Sequence, residues 1–191
     1  RMASKTALLI VAEGSEDLEV AIPSDYLRHC GLKVTIASIS EEGGPVTLSN
    51  GLRILPDVTL ESVSKQEYDV IILPGGIKGG PRLAASALVL EMLRSQHARG
   101  GLIASICAGA TVIAASGVQP GATLSTFPLP EIYDKVTERG YKFANERVAV
   151  DGQLITSQAP GTAFEFASKI VETLVGSEVN KKFIDFYLIK M

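Results

Sequence analysis

Short apolar runs alternate along the chain with longer stretches in which apolar residues recur every three or four positions. Thr6 to Ala12, Tyr68 to Leu73 and Leu102 to Ile106 are near-continuous runs, the pattern of parallel strands covered on both faces, and Leu32 to Ser38 reads as a further strand. The stretch from Glu16 to about Cys30 predicts a helix stopped by Gly31. Pro23 inside it cannot donate to the Glu19 carbonyl, so it marks either a kink or the start of regular helix. A second helix is expected from Pro81 to about Ala98, closed by Gly100-Gly101. A short Ala-rich helix to Ala115 follows Cys107, and Leu129 to Arg139 reads as a polar surface helix. Phe166, Ile170, Val171 and Leu174 share one helical face; Thr162 to Glu165 reads as its capping box and Gly176 as its stop. A last helix is expected over Ser177 to Tyr187.

Two turn signals interrupt this alternation. Asn50-Gly51 and Asp151-Gly152 lie between alternating runs, and each predicts a hairpin. Strands alternating with helices imply an α/β domain built on a doubly wound, mostly parallel sheet with an antiparallel ribbon or two added. A single domain over 4–191 is expected. Arg1 before Met2 reads as a cloning remnant, and 1–3 as a disordered start.

The candidate chemistry gathers where strands end. Leu102 to Ile106 runs straight into Cys107-Ala108-Gly109-Ala110, the strand–nucleophile–helix order of a nucleophile elbow. Two other loops after strands should lie at the same carboxyl edge: Glu13 to Glu19, rich in carboxylates, and the glycine-rich Gly75 to Gly80. The plainer readings are a buried small thiol, ordinary helix capping and a tight turn; the convergence of all three loops favours a site. A carboxyl beside a thiolate would have its own proton affinity raised, making Glu16, Asp17 or Glu19 a proton donor. The Gly75-Gly76 pair leaves backbone amides free to face an oxyanion.

Composition narrows the classes. With 191 residues, 46% of them apolar, the chain can bury a sizeable core, and a net charge of −3 argues against nucleic-acid binding. Cys30 and Cys107 stand far apart, so neither a disulfide framework nor a metal site is indicated. No phosphate loop is present, and no cofactor is expected. With no signal-peptide pattern and no run long enough to span a bilayer, the expectation is a soluble cytoplasmic protein, with mitochondrion or nucleus as alternatives. His29 and His97 fall near the carboxyl ends of helices that run away from Cys107, where they are expected to meet terminal carbonyls. A Cys–His hydrolase is therefore disfavoured.

The segments Ala-Leu-Leu-Ile-Val-Ala (7–12) with Glu16 and Glu19, Val-Ile-Ile-Leu-Pro-Gly-Gly (70–76), Leu-Ile-Ala-Ser-Ile-Cys-Ala-Gly (102–109) and Leu-Ile-Thr-Ser-Gln-Ala-Pro-Gly-Thr-Ala-Phe-Glu-Phe-Ala (154–167) resemble the DJ-1/PfpI superfamily. The likeness is greatest to its Parkinsonism-associated branch, from Ser4 to about Gly176. The resemblance implies a flavodoxin-like sandwich, a homodimer formed partly through the first helix, and an oxidisable Cys107 hydrogen-bonded by a protonated Glu19. It also implies a pocket lined by the amides of Gly76 and Ala108, with Glu16, Gly75, Phe127, Gln158 and Pro160 around it. The implied activities are glyoxalase (methylglyoxal to lactate) and protein deglycase, beside redox-sensing and chaperone roles. Two positions depart from close relatives: Phe127 replaces a histidine and Gln158 an arginine. Both changes make the pocket less able to hold an anion.

Overall fold

The computed structural model describes residues 4–190, so the expected disordered start at 1–3 lies outside the described residues. In chain order the elements are β1 (Thr6–Val11), α1 (Asp17–His29), β2 (Lys33–Ser38), β3 (Val46–Thr47), β4 (Arg53–Ile54), β5 (Val58–Thr59) and β6 (Val70–Leu73). Next come α2 (Gly79–Ala85), α3 (Ala87–Ala98), β7 (Leu102–Ile106), α4 (Ala110–Ser116), β8 (Thr123–Ser125), α5 (Pro130–Thr137) and β9 (Lys142–Ala144). The chain closes with β10 (Val148–Asp151), β11 (Leu154–Ser157), α6 (Ala163–Val175) and α7 (Ser177–Phe186).

Seven strands form the central sheet in the order β10-β11-β7-β6-β1-β2-β5. Every pairing is parallel except β10 with β11. This is the doubly wound, mostly parallel sheet expected from the alternation and the flavodoxin-like sandwich that the resemblance implied. The three predicted apolar runs are β1, β6 and β7, and the further strand is β2. Their alternate residues feed two cores: Leu8, Ile10, Ile71, Leu73 and Ile103 pack with α2 to α5, while Leu9, Val11, Ile72, Ala104 and Ile106 pack with α1 and α6. A central strand buried on both faces needs apolar residues at nearly every position, which is why β1, β6 and β7 do not alternate, whereas the partly exposed β2 admits Lys33 and Thr35. Each fully buried Leu or Ile contributes on the order of 1.5–3 kcal/mol, so the sheet is the rigid part of the molecule.

Several boundaries differ from the sequence reading, each for a local reason. The helix expected from Pro81 is two helices. α2 begins at Gly79, and Ser86 is extended with its hydroxyl accepting from the Val89 amide, so it caps α3. The capping box at Thr162 does not form. The Thr162 hydroxyl turns back to Ala159 and Ser157, and Glu165 instead takes a bidentate grip from Arg147. In the second hairpin Asp151 pairs with Leu154, so the turn is Gly152-Gln153, one residue later than expected. Asp151 is held in the strand because its carboxylate accepts from the Thr123 amide and Gln119 donates to its carbonyl. The Asn50-Gly51 hairpin forms with only two paired residues per strand. Pro23 leaves α1 continuous from Asp17 to His29.

His29 also finds a different partner. Its Nδ1 lies 2.8 Å from the Tyr187 hydroxyl, within an aromatic cluster with Phe183 and Phe186 that seats α7 on α1. Beneath it, buried Tyr26 donates to Asn180 Oδ1 at 3.0 Å and ties the same two helices together.

Candidate functional site

β1, β6, β7 and β11 all end at one edge of the sheet, and the loops that follow them meet there. Cys107 follows directly on β7, and its backbone has φ of 58°, a left-handed conformation that a residue with a side chain adopts only under constraint. The constraint is visible on both sides. The Thr126 hydroxyl donates to the Cys107 carbonyl at 2.7 Å, and the Thr111 hydroxyl donates to the Ala108 carbonyl at 2.7 Å. Gly109 sits against the Leu73 and Pro74 carbonyls, where a side chain would collide. The turn over Cys107–Gly109 is therefore packed directly onto the end of β6.

Glu19, in the first turn of α1, is fully buried. Its Oε2 accepts from the Gly75 amide at 2.7 Å, while Oε1 makes no hydrogen bond of good geometry among the described residues. A Cβ placed on Gly75 would lie 2.7 Å from the Ala108 nitrogen, 2.8 Å from Cys107 Cβ and 2.9 Å from Glu19 Oε2. Carboxyl, thiol-bearing carbon and amide thus converge on one glycine, and only glycine leaves room for them. Gly76, with φ of 98°, presses on Gly14 and Glu16 and also needs to be glycine.

The electrostatics follow from this burial. Desolvation pushes the Glu19 carboxyl up to about 8, against the Gly75 amide, which favours the ionised form; the nearby Glu16 charge pushes it further up. Burial likewise raises the Cys107 thiol, and an ionised Glu19 would raise it more, whereas the Ala108 and Gly76 amides pull it down. Desolvation thus outweighs the pull of the elbow amides on the sulfur. Glu19 and Cys107 bind protons as a unit, and below about pH 8 the buried carboxyl keeps its proton, which removes its repulsion of a thiolate.

The remaining residues named from sequence take up separate places. Glu16 caps α1 by accepting from the Glu19 amide at 2.9 Å, and its own amide donates to the Gly75 carbonyl at 3.2 Å. Phe127 is half-buried immediately after Thr126. Gln158 follows Ser157, the register partner of Ile106 in β7, and its amide donates to Asn145 at 2.6 Å; Pro160 opens the short turn beyond it. Both histidines lie at the opposite edge: α1 ends next to the start of β2, and α3 next to the start of β7. Cys30 is a packed thiol, buried between α1 and its neighbours. Among the described residues no three His, Cys, Asp or Glu side chains gather in a metal-binding arrangement, and no helix is long and apolar enough to cross a membrane. Sequence reasoning passed over Thr126 as the clamp on Cys107 and Asn50 as a contact of Glu16. A lone threonine or asparagine on a distant loop carries no signal of its contact until the chain is folded.

A parallel α/β sandwich with a cysteine on a strained elbow beside a buried glutamic acid defines a class of cysteine-centred proteins. The chain belongs to the DJ-1/PfpI family, whose defining pattern matches residues 5–173. It is 46% identical over 180 residues to Parkinson disease protein 7 homolog of Danio rerio, covering 93% of this chain and 94% of that one. It is 44% identical over 177 residues to the glutathione-independent glyoxalase DJR-1.2 of Caenorhabditis elegans, covering 92% of each. The crystal structure of Drosophila melanogaster DJ-1beta superposes with a TM-score of 0.93 at 42% identity, covering 99% of this chain and 100% of that one.

Proposed function

We propose that this protein is a cofactor-independent glyoxalase acting on small 2-oxoaldehydes such as methylglyoxal, with Cys107 as nucleophile and Glu19 as proton shuttle. The observation that carries this reading is the buried Glu19 carboxyl, protonated up to about pH 8 and packed against the same glycine as Cys107. A glyoxalase-named relative at 44% identity supports it. The Cys107 sulfur adds to the aldehyde carbon, and the proton held by the pair goes to the aldehyde oxygen, leaving a hemithioacetal and an ionised Glu19. Glu19 takes the hydrogen from the former aldehyde carbon and returns it to the neighbouring carbon, while the hydroxyl proton passes from the first oxygen to the second. The product is a lactoyl thioester, which water cleaves to lactate and the free thiol. The amides of Gly76 and Ala108 face the sulfur and are placed to hold the negative oxygen in each step.

Phe127 and Gln158 leave the mouth without a cation or an imidazole of their own, so turnover is expected to be slow, and deglycase activity would use the same addition to a carbonyl. The test is lactate formation from methylglyoxal by wild type, Cys107→Ala and Glu19→Gln. The reading fails if wild type forms no more lactate than Cys107→Ala.

A second reading, redox sensing with a chaperone-like role, is favoured by the half-buried Cys107 on its strained elbow. Peroxide would oxidise the thiolate to sulfenate and a second equivalent to sulfinate, which the protonated Glu19 and the two amides would hold. Mass spectrometry after mild peroxide should find two added oxygens first on Cys107. The protein is also proposed to work as a homodimer in a reducing compartment such as the cytoplasm. Exposed Leu18 on α1 supports the dimer, and sedimentation equilibrium tests it. A cysteine peptidase is disfavoured because both histidines sit at the far edge of the sheet.

A further inference from the structure

We propose that Glu16 is a positioning residue for the Cys107–Glu19 pair, fixing the Glu19 carboxyl against the Gly75 amide. The inference rests on the reading of that pair as the reactive centre, and it assigns a role to a residue that touches neither thiol nor substrate. Three hydrogen bonds close a circuit around one peptide. The Glu16 amide donates to the Gly75 carbonyl at 3.2 Å, the Gly75 amide donates to Glu19 Oε2 at 2.7 Å, and the Glu19 amide donates to Glu16 Oε2 at 2.9 Å. A fourth contact anchors the circuit from outside, since Asn50 at the β3–β4 hairpin tip donates to Glu16 Oε1 at 3.3 Å.

A helix cap alone would not call for this residue. Ser, Thr, Asp and Asn are the preferred caps, and the longer glutamate must fold back to reach the Glu19 amide. What glutamate adds is a fixed negative charge one helical turn from a buried carboxyl. The repulsion disfavours ionisation of Glu19, in the same direction as its burial.

The other charged groups around Glu19 are occupied elsewhere. Glu13 accepts from the Thr47 amide, and Asp17 accepts from Ser49, Asn50 and Leu52 on the hairpin. From α2 and the loop before it, Arg82 donates to the Glu13 carbonyl and Lys78 is exposed. From β7 the facing group is Cys107 itself. Glu16 is thus the carboxylate whose charge bears on Glu19.

The experiment compares Glu16→Gln and Glu16→Asp with wild type, following the carbon-13 titration of the Glu19 carboxyl and the pH dependence of Cys107 alkylation by iodoacetamide. Neither readout needs turnover. Glu16→Gln keeps an acceptor for the Glu19 amide but loses the charge, so the Glu19 midpoint should fall by about half a pH unit or more, with the alkylation profile moving alongside. Glu16→Asp, charged and a good cap, should stay at the wild-type midpoint. If Glu16→Gln does not fold, Glu16→Ser, an uncharged and preferred cap, takes its place and should move the midpoint the same way. A Glu19 midpoint unchanged in Glu16→Gln, with only thermal stability lowered, overturns the inference and leaves Glu16 a plain cap. A wild-type Cys107 that resists alkylation at every pH would instead sink the underlying reading of the pair.

Discussion

Glu19 Oε2 and the Gly75 amide are joined at 2.7 Å although they are 56 positions apart, and Cys107 Cβ packs against the same glycine. The thiol and the acid of the candidate site converge on that one backbone group. Its consequences are open to measurement.

Gly75→Ala would put a methyl within 2.9 Å of three site atoms: the Ala108 nitrogen, Cys107 Cβ and Glu19 Oε2. Two of these belong to the packed elbow and cannot swing away. The variant is expected to lose about 1–3 kcal/mol in denaturant unfolding, as overpacked sites do. Cys107 alkylation should change with it, because the new methyl must displace the carboxyl or the elbow.

Glu19 gives stability a pH dependence of defined sign. Its folded value of about 8 lies above the ordinary glutamate value of 4.5, so between those limits the unfolded chain releases a proton that the folded protein keeps. The contribution is fully present below about 4.5 and is lost as pH rises toward 8. Urea midpoints of wild type should therefore decline relative to Glu19→Gln over that window and run parallel above it. Parallel curves throughout would show that Glu19 is ionised in the folded state.

Thr126→Val removes the hydroxyl that donates to the Cys107 carbonyl and keeps the side-chain shape. Loss of a buried hydrogen bond, with an acceptor left behind, should cost about 1–3 kcal/mol. Because the bond restrains a residue at φ of 58°, peroxide oxidation of Cys107, followed by mass spectrometry, should change rate more than stability alone predicts.

Tyr26→Phe tests the seating of the last helix. The Tyr26 hydroxyl donates to Asn180, which is itself paired with Ser168. The variant should lose about 1 kcal/mol. Hydrogen exchange should rise in α7 ahead of the sheet, since the Asn180–Ser168 pair and the aromatic cluster around His29 and Tyr187 would then hold that helix without Tyr26.

The strands β1, β6 and β7 were legible because burial on both faces demands nearly unbroken apolar runs, which they show. Gly31, Gly100 and Gly176 marked helix ends because the chain needs positive φ there. Where the sequence reading failed, a distant partner had taken the local group. Arg147 claims Glu165 from the expected capping box, the Thr123 amide and Gln119 hold Asp151 in its strand, and Tyr187 claims His29.

The same division runs through the site. Cys107 at the end of a strand and before a helix was determined by local order alone, since an apolar run must stop where its burial stops. Glu19, Gly75 and Glu16 could be nominated from sequence as residues of loops at one sheet edge. That Glu19 is fully buried, that Gly75 is the shared contact, and that Glu16 closes a hydrogen-bonded circuit were decided only when β1 and β6 paired and brought their loops together. Local sequence can specify which backbone conformations are affordable. Burial, and with it the proton affinity of a carboxyl, depends on atoms supplied by the rest of the chain.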